Sequence, residues 1–155
     1  MFDPRKIIEA LNRHQVEYIT IDGFAATLYG CPEQTFDLDI LYSDTSTTRQ
    51  RLLAALTEIE ARWDAPLSDS VLQRQPVFAL NTKFGDLDIL NEVLGIGTYE
   101  HAKSHCQSMN VGSEPMSILD LPTLISSKEA AADPNPRKRS ALEYLKAIHQ
   151  RGKQT

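Results

Sequence analysis

The feature that most constrains this chain is a pair of aspartates inside an apolar segment. Asp37 and Asp39 alternate with Phe36, Leu38 and Ile40, a pattern typical of a β-strand. Residues two apart on a strand point to the same face, so both carboxylates lie side by side on a rigid element. Because like charges repel and unpaired charge is costly in apolar surroundings, the pair favours a bound cation. We expect a divalent metal ion there.

A second segment repeats this pattern further along the chain. Asp86 and Asp88 flank Leu87, and they follow a β-rich run at 77–82 and a short glycine-containing turn, which predicts a hairpin. If the second arm of this hairpin lies alongside the first aspartate pair, Asp88 or Asp86 supplies a third carboxylate. Two or three carboxylates on adjacent stiff strands can hold the Mg²⁺ ions that support phosphoryl or nucleotidyl transfer.

A glycine turn precedes the first aspartate pair. A short β-rich run at 18–21 ends at Asp22-Gly23, and a helix is predicted to begin at Phe24. Glycine lets the backbone approach a ligand closely, and the first turn of a helix presents free N–H groups and a positive dipole end. Both properties favour a polyphosphate next to the aspartates.

Strands and helices alternate irregularly along the chain, which indicates an α+β fold with a mixed β-sheet flanked by helices and a helical C-terminal part. We expect one domain over 1–155, with a core at about 1–118 and the helical C-terminal part at about 119–151. The predicted helices are 4–14, 24–29, 47–63 (the longest), 98–105, 120–132 and 137–150.

Composition excludes several classes of protein. The chain has 155 residues, 41% of them hydrophobic and 24% charged, which argues against disorder. A net charge of −5 disfavours a broad electrostatic grip on nucleic acid. We find no apolar run of about 18–20 residues, the length of a membrane span, and we expect no membrane association. With only Cys31 and Cys106, a reduced, cytoplasmic setting fits best.

Several segments together resemble the DNA polymerase β-type nucleotidyltransferase fold, and most closely the small bacterial nucleotidyltransferases of the abortive-infection and toxin–antitoxin type. The more specific segments are Gly23-Phe24-Ala25 with Gly30, Thr35-Phe36-Asp37-Leu38-Asp39-Ile40, and Phe84-Gly85-Asp86-Leu87-Asp88-Ile89-Leu90. Weaker similarities are Tyr99-Glu100, Ile118-Leu119-Asp120-Leu121 and Lys128. The similarity extends over most of the chain.

The resemblance implies transfer of a nucleoside monophosphate from a nucleoside triphosphate to a hydroxyl, with Mg²⁺ or Mn²⁺ as cofactor. Asp37 and Asp39 would hold the metal, and Asp88 would be the third ligand and help to deprotonate the acceptor. Three residues would contact the triphosphate: Gly23, Phe24 and Lys128. The acceptor stays open between RNA, a protein and a small molecule, and the resemblance also implies a partner protein in a toxin–antitoxin or phage-defence pair.

The sequence departs from the family pattern near the expected triphosphate. Asp22 stands where a small residue is usual, Glu33 stands where an arginine is common, and the segment 137–140 lacks the usual aspartate. These changes favour an alternative hypothesis, a catalytically degenerate member of the fold that acts as a binding or regulatory module and docks a partner through its C-terminal helices. A metal-dependent phosphohydrolase using the same carboxylates is a third hypothesis.

Other polar clusters have simpler interpretations. His101 and His105 lie four residues apart beside Cys106, a spacing compatible with zinc, but no second ligand cluster accompanies them and an exposed helix face is the favoured interpretation. The basic run 137–139 suits phosphate or RNA, although the first turn of a helix after a proline break is more often solvent-facing. Without the resemblance, Lys128 is most simply a solvated charge.

Overall fold

In a computed structural model of the chain, residues 1–32, 35–131 and 133–153 are described, apart from the side chain of residue 153. Six strands form one mixed sheet: β1 (Tyr18–Ile21), β2 (Asp37–Tyr42), β3 (Val77–Thr82), β4 (Gly85–Leu90), β5 (Cys106–Val111) and β6 (Glu114–Leu119). The order of strands across the sheet is β3-β4-β2-β1-β6-β5. The neighbours β2 and β4 run parallel, as do β1 and β6, and the other three pairs are antiparallel.

Seven helices accompany the sheet in the described residues: α1 (Pro4–Arg13), α2 (Asp22–Leu28), α3 (Ser46–Glu58), α4 (Asp69–Leu72), α5 (Tyr99–Ala102), α6 (Leu121–Ala131) and α7 (Pro136–Lys153). A 3₁₀ turn, Lys103–His105, continues α5. None of the helices in the described residues is both long and apolar enough to cross a membrane. The predicted α+β fold with a mixed sheet, flanking helices and a helical C-terminal segment is confirmed.

Local sequence signals account for most of the element boundaries. Asp3 caps α1 by accepting from the backbone N–H of Lys6, and proline occupies the first helical position, an arrangement that satisfies a free donor at the helix start. Gly85 opens β4 with φ at +115°, a conformation that glycine adopts without strain. The hairpin of β3 and β4 lies where the sequence predicts it.

The prediction for α3 is wrong at its C-terminal end. The apolar spacing extends to Trp63, but the helix ends at Glu58, and Glu60 adopts a left-handed backbone with φ at +54°. The chain then turns back, and Arg62 pairs with Asn81 of β3 through backbone hydrogen bonds. Trp63 packs edge-on against Phe78, so it belongs to the core around β3 rather than to a helix face. The longest helix in the described residues is α7, with 18 residues.

The two central strands, β2 and β4, place different side chains on their two faces. One face is aliphatic and completely buried, and its members are Leu38, Ile40, Leu87 and Ile89. Because side chains alternate along a strand, Asp37 and Asp39 of β2 lie on the opposite face, together with Asp86 and Asp88 of β4. The sheet therefore concentrates four carboxylates on one face of two neighbouring strands.

Candidate active site

The parallel register of β2 and β4 builds a cluster of three carboxylates. Asp39 lies directly opposite Asp88, and Asp37 is two residues earlier on the same face of β2. One carboxylate oxygen from each of the three residues lies within 4.8 Å of the others. The three aspartates predicted from the sequence as metal ligands are thus brought together at one point of the sheet.

Asp86 is not part of this cluster. Its carboxylate accepts a hydrogen bond of 2.6 Å from the side-chain amide of Asn81 on the neighbouring strand β3, and it is exposed to solvent. The structure therefore favours Asp88 over Asp86 as the third carboxylate, which the residue pattern alone left open.

Burial makes the carboxylate cluster electrostatically unfavourable without a cation. Asp39 is only 8% exposed, and burial raises the pKa of its carboxyl group, as do a hydrogen bond to Asp88 and the nearby charges of Asp22 and Asp37. Burial also raises the pKa of Asp88. Three carboxylates this close repel one another, so the cluster favours either protonation of one of them or a divalent cation bound between them.

The donor atoms fit a hard divalent cation. All three ligands offer carboxylate oxygen, which Mg²⁺ and Mn²⁺ prefer over nitrogen or sulfur. Among residues 1–32, 35–131 and 133–153, these aspartates are the one group of three or more His, Cys, Asp or Glu side chains close enough to hold an ion. The zinc hypothesis finds no support there, because Cys106 donates to the carbonyl of Lys103 and His105 approaches Asp120 instead.

Thr35 orients the first aspartate, a role that the sequence analysis did not assign. Its hydroxyl donates a hydrogen bond of 3.0 Å to Oδ1 of Asp37. Gly23 allows this arrangement, because a Cβ atom at that position would lie only 3.3 Å from the same hydroxyl oxygen. The glycine turn therefore brings α2 against the start of β2. The sequence signal for the role of Thr35 is a hydroxyl residue placed two positions before a strand aspartate.

The other two predicted triphosphate ligands have protein partners. Phe24 is 7% exposed and packs edge-on against Phe2, so only its backbone remains to contact a ligand. Lys128 lies on α6 and reaches across to Asp22, with Nζ 3.1 Å from Oδ1. The side chain of Lys128 is only 12% exposed, whereas that of Asp22 is 46% exposed, so the ion pair is open to solvent on the side of Asp22.

The pairing with Lys128 changes the interpretation of Asp22. From the sequence alone, Asp22 is an extra negative charge beside the expected triphosphate, but Lys128 neutralises that charge in the structure. Asp22 has a left-handed backbone with φ at +60°, a conformation that costs free energy in a residue other than glycine. The ion pair ties the turn between β1 and α2 to the C-terminal helices. Glu33, the other acidic departure, lies outside the described residues.

Two cavities meet at the carboxylates. The polar cavity, of about 290 Å³, is bordered by all three aspartates and by Gly23 and Thr35. The apolar cavity, of about 460 Å³, lies on the side of β3 and the loop after β4, and its hydrophobic lining residues include Val77, Leu90, Val93, Leu94 and Leu142. Five residues border both cavities: Asp22, Asp39, Asp88, Lys128 and Lys138.

The basic start of α7 contributes to these cavities, contrary to the expectation that it faces only solvent. Lys138 borders both cavities, and Arg139 borders the apolar one. Lys138 is about half exposed and lies 3.8 Å from the carboxylate of Asp133. The sequence signal was present as the basic run 137–139. Whether these side chains border the cavities or face solvent depends on how α6 and α7 pack together, which the residue pattern does not determine.

Comparisons with known proteins identify the fold. No protein-family model matches the chain, and no curated protein sequence matches it either. Among solved structures, it is similar to the lincosamide antibiotic adenylyltransferase LnuA with lincomycin bound, at 14% identity and a TM-score of 0.66, over 95% of this chain and 98% of that one. It is also similar to the antibiotic-resistance factor ANT(2'')-Ia, at 16% identity and a TM-score of 0.60, over 94% and 88% of the two chains.

A third similar structure is TM1012 from Thermotoga maritima, whose assignment as a nucleotidyltransferase is provisional. The identity is 14% and the TM-score 0.56, over 100% of this chain and 97% of that one. At these identities the likeness concerns the fold. The nucleotidyltransferase part of the resemblance is thereby confirmed at the level of the fold, whereas the toxin–antitoxin and abortive-infection type stays a prediction. The chain has the polymerase β-like fold that these nucleotidyltransferases share.

Proposed function

We propose that this protein transfers a nucleoside monophosphate from a nucleoside triphosphate to a hydroxyl group, with Mg²⁺ or Mn²⁺ as cofactor. The observation that carries the proposal is the position of the three carboxylates on adjacent strands, at the point where two cavities adjoin. A transferase needs places for a donor and an acceptor on either side of its reacting atoms. A fold shared over most of the chain with the antibiotic adenylyltransferase LnuA, and with ANT(2'')-Ia, which is known in complex with adenylyl-2''-tobramycin, supports the same chemistry.

The polar cavity suits the triphosphate. It contains the glycine turn and the hydroxyl of Thr35, and it adjoins the ammonium groups of Lys128 and Lys138. Lys128 is held by Asp22 at 3.1 Å, whereas the half-exposed Lys138 makes only a longer approach of 3.8 Å to Asp133. We therefore assign the main electrostatic contact with the phosphates to Lys138. Gly23 and the backbone of Phe24 would lie along the phosphates, as the resemblance implies, and the buried ring of Phe24 would support them from the core.

The chemistry follows from the positions of the aspartates. Asp37, Asp39 and Asp88 would hold the divalent ion, which when bound neutralises negative charge that develops on the phosphate oxygens. The acceptor oxygen forms a bond to the α-phosphorus, and the bond from that phosphorus to the oxygen bridging to the β-phosphate breaks. The hydroxyl proton passes to the carboxylate of Asp88, and pyrophosphate leaves with the electron pair of the broken bond.

A label-transfer assay tests the proposal. The protein is incubated with each nucleoside triphosphate labelled at the α-phosphate, with Mg²⁺ or Mn²⁺, and with RNA, protein and small-molecule alcohols as acceptors. We expect label transfer by the unaltered protein and by Asp86→Asn, and loss of transfer in Asp39→Asn. Absence of transfer, combined with no rise in melting temperature on addition of metal and nucleotide, would contradict the proposal. Release of labelled monophosphate without transfer would instead support a phosphohydrolase.

One observation favours the alternative of a catalytically degenerate binding module. The Asp22–Lys128 ion pair uses the lysine that the resemblance assigns to phosphate. If the module hypothesis holds, metal and nucleotide raise the melting temperature without any label transfer. Restored transfer in Asp22→Gly, which frees Lys128, would then identify this ion pair as the cause of the inactivity. A partner protein in a toxin–antitoxin or phage-defence pair remains part of the proposal, to be tested by co-purification.

A further inference from the structure

We propose that the apolar cavity binds the acceptor, and that the acceptor is a small molecule with an apolar body that carries a hydroxyl group. This inference rests on the proposed transfer of a nucleoside monophosphate and specifies its second substrate. RNA and proteins, the other acceptor classes left open by the sequence, become outcomes of the test.

The location of the cavity relative to the carboxylates assigns it to the acceptor. The apolar cavity borders Asp39 and Asp88 but not Asp37, whereas the polar cavity borders all three and also contains Gly23 and Thr35. A triphosphate in the polar cavity would present its α-phosphorus toward the shared residues. An acceptor in the apolar cavity would then approach from the other side, with its hydroxyl next to Asp88, the group that takes the proton.

The lining of the cavity indicates an apolar occupant. Val77 of β3, Leu90 of β4, Leu142 of α7, and Val93 and Leu94 after β4 converge on the space. Leu94 is 70% exposed and Val77 is 42% exposed. Among the described residues, five large hydrophobic residues are at least 41% exposed, and two of them, Val77 and Leu94, border this cavity. Exposed apolar side chains grouped around a cavity are typical of a ligand site.

The charges and the size of the cavity disfavour a polyanionic acceptor. Its charged lining residues are of both signs, and Lys138 lies 3.8 Å from Asp133. Five are acidic and three are basic: Asp22, Asp39, Asp88, Glu129 and Asp133, and Lys128, Lys138 and Arg139. A nucleic-acid site requires a continuous basic surface along the phosphates, and the chain carries a net charge of −5. The volume of about 460 Å³ falls within the range of roughly 300–1,000 Å³ that holds a small organic ligand.

A pair of probes isolates the contribution of the apolar body. Methyl β-D-glucopyranoside and phenyl β-D-glucopyranoside carry the same sugar hydroxyls and differ only in the methyl or phenyl group on the glycosidic oxygen. Binding of each is measured by ligand-observed NMR, without nucleotide or metal. We expect the phenyl glucoside to bind at least about tenfold more tightly, because its phenyl group moves apolar surface out of water and against the cavity wall.

A matched pair of variants places this preference in the apolar cavity. Leu94→Asp puts a charge at the cavity wall, and Tyr144→Asp puts the same charge at another exposed apolar position, on α7 outside the cavity lining. Both side chains are exposed, so neither substitution removes core packing, and melting curves check this. We expect Leu94→Asp to abolish the preference for the phenyl glucoside and Tyr144→Asp to keep it within about twofold of the unaltered protein.

The label-transfer assay then separates failure of this inference from failure of the proposed function. Transfer to phenyl glucoside in preference to methyl glucoside and to a short single-stranded RNA supports the inference. Equal binding of the two glucosides, an unchanged preference in Leu94→Asp, or transfer to RNA alone would overturn the inference while leaving nucleotidyl transfer intact. A binding preference with no transfer to any acceptor would overturn the proposed function, and the acceptor role of the cavity with it.

Discussion

The two faces of β2 and β4 differ sharply although they belong to the same twelve residues. One face consists of aliphatic side chains that are 0% exposed: Leu38, Ile40, Leu87 and Ile89. The other face carries the carboxylates: Asp37, Asp39, Asp86 and Asp88. Alternation of side chains along a strand produces both faces from a single pattern of sequence.

The difference shows how stability and chemistry are divided between the faces. Burial of the aliphatic side chains stabilises the sheet by about 1.5–3 kcal/mol for each residue. The carboxylate face acts in the opposite direction, because Asp39 is buried beside other negative charges and the cluster is relieved only by a proton or a metal ion. The aliphatic face thus holds the strands in the register that the carboxylate face requires.

The largest expected effect comes from neutralising the buried carboxylate. Asp39→Asn should lower nucleotidyl transfer by at least about a hundredfold, because a metal ligand is lost. The same substitution should raise the melting temperature of the metal-free protein, since a neutral amide can be buried beside the other carboxylates without a proton or a metal ion. Transfer rates and metal-free melting curves of the variant and the unaltered protein measure both effects. A fall in metal-free stability would contradict our account of the carboxylate face.

A substitution on the aliphatic face should have the reverse profile. Ile40→Ala should reduce the free energy of unfolding by about 2–5 kcal/mol through the lost burial and the cavity that remains. The rise in melting temperature caused by Mn²⁺ should persist, because the carboxylates keep their positions. Denaturant unfolding with and without Mn²⁺ checks this, with Tyr144→Ala as an exposed control. Loss of the Mn²⁺ effect in Ile40→Ala would mean that the two faces are not separable.

Removing the hydroxyl that orients Asp37 should have an intermediate effect. Thr35→Val loses the 3.0 Å hydrogen bond to Oδ1 of Asp37, and a bond of this kind contributes about 1 kcal/mol. We expect Mn²⁺ affinity to fall about fivefold, which corresponds to that free energy. Thr35→Ser keeps the hydroxyl and should restore most of the affinity. Equal affinity in the valine and serine variants would show that the hydroxyl does not position the ligand.

The smallest expected effect is at the fourth carboxylate of the same face. Asp86→Asn removes a charge that is exposed and bonded to Asn81, outside the cluster. Transfer and Mn²⁺ affinity should stay within about twofold of the unaltered protein, as is usual for surface substitutions. Titration of Mn²⁺ checks the affinity directly. A loss comparable to that of Asp39→Asn would place Asp86 among the ligands.

Patterns of alternation were sufficient to predict much of the fold and to identify the carboxylates that the candidate site brings together. The strands and both aspartate pairs are local features, and local side-chain alternation determines which residues share a face. The choice between Asp86 and Asp88 required the register of β2 against β4, which depends on contacts between distant segments. Residues 84–90 alone contain no information about which carboxylate lies opposite Asp39.

The errors have a common physical cause in contacts between distant segments. The apolar spacing up to Trp63 continues the helical pattern of α3, but a contact with Phe78 and pairing with the edge of β3 determine where that segment lies. Likewise, Asp22 looked unbalanced beside the glycine turn because its partner, Lys128, is 106 residues away. Tertiary contacts of this kind override local preference.

Titration of Mn²⁺ by electron paramagnetic resonance tests the central claim most directly, because it monitors the ion without any assumption about the acceptor. The unaltered protein, Asp39→Asn and Asp86→Asn are compared under identical conditions. We expect binding by the unaltered protein and by Asp86→Asn, and at least about tenfold weaker binding by Asp39→Asn. Equal Mn²⁺ affinity in all three proteins would contradict the assignment of Asp37, Asp39 and Asp88 as a metal site.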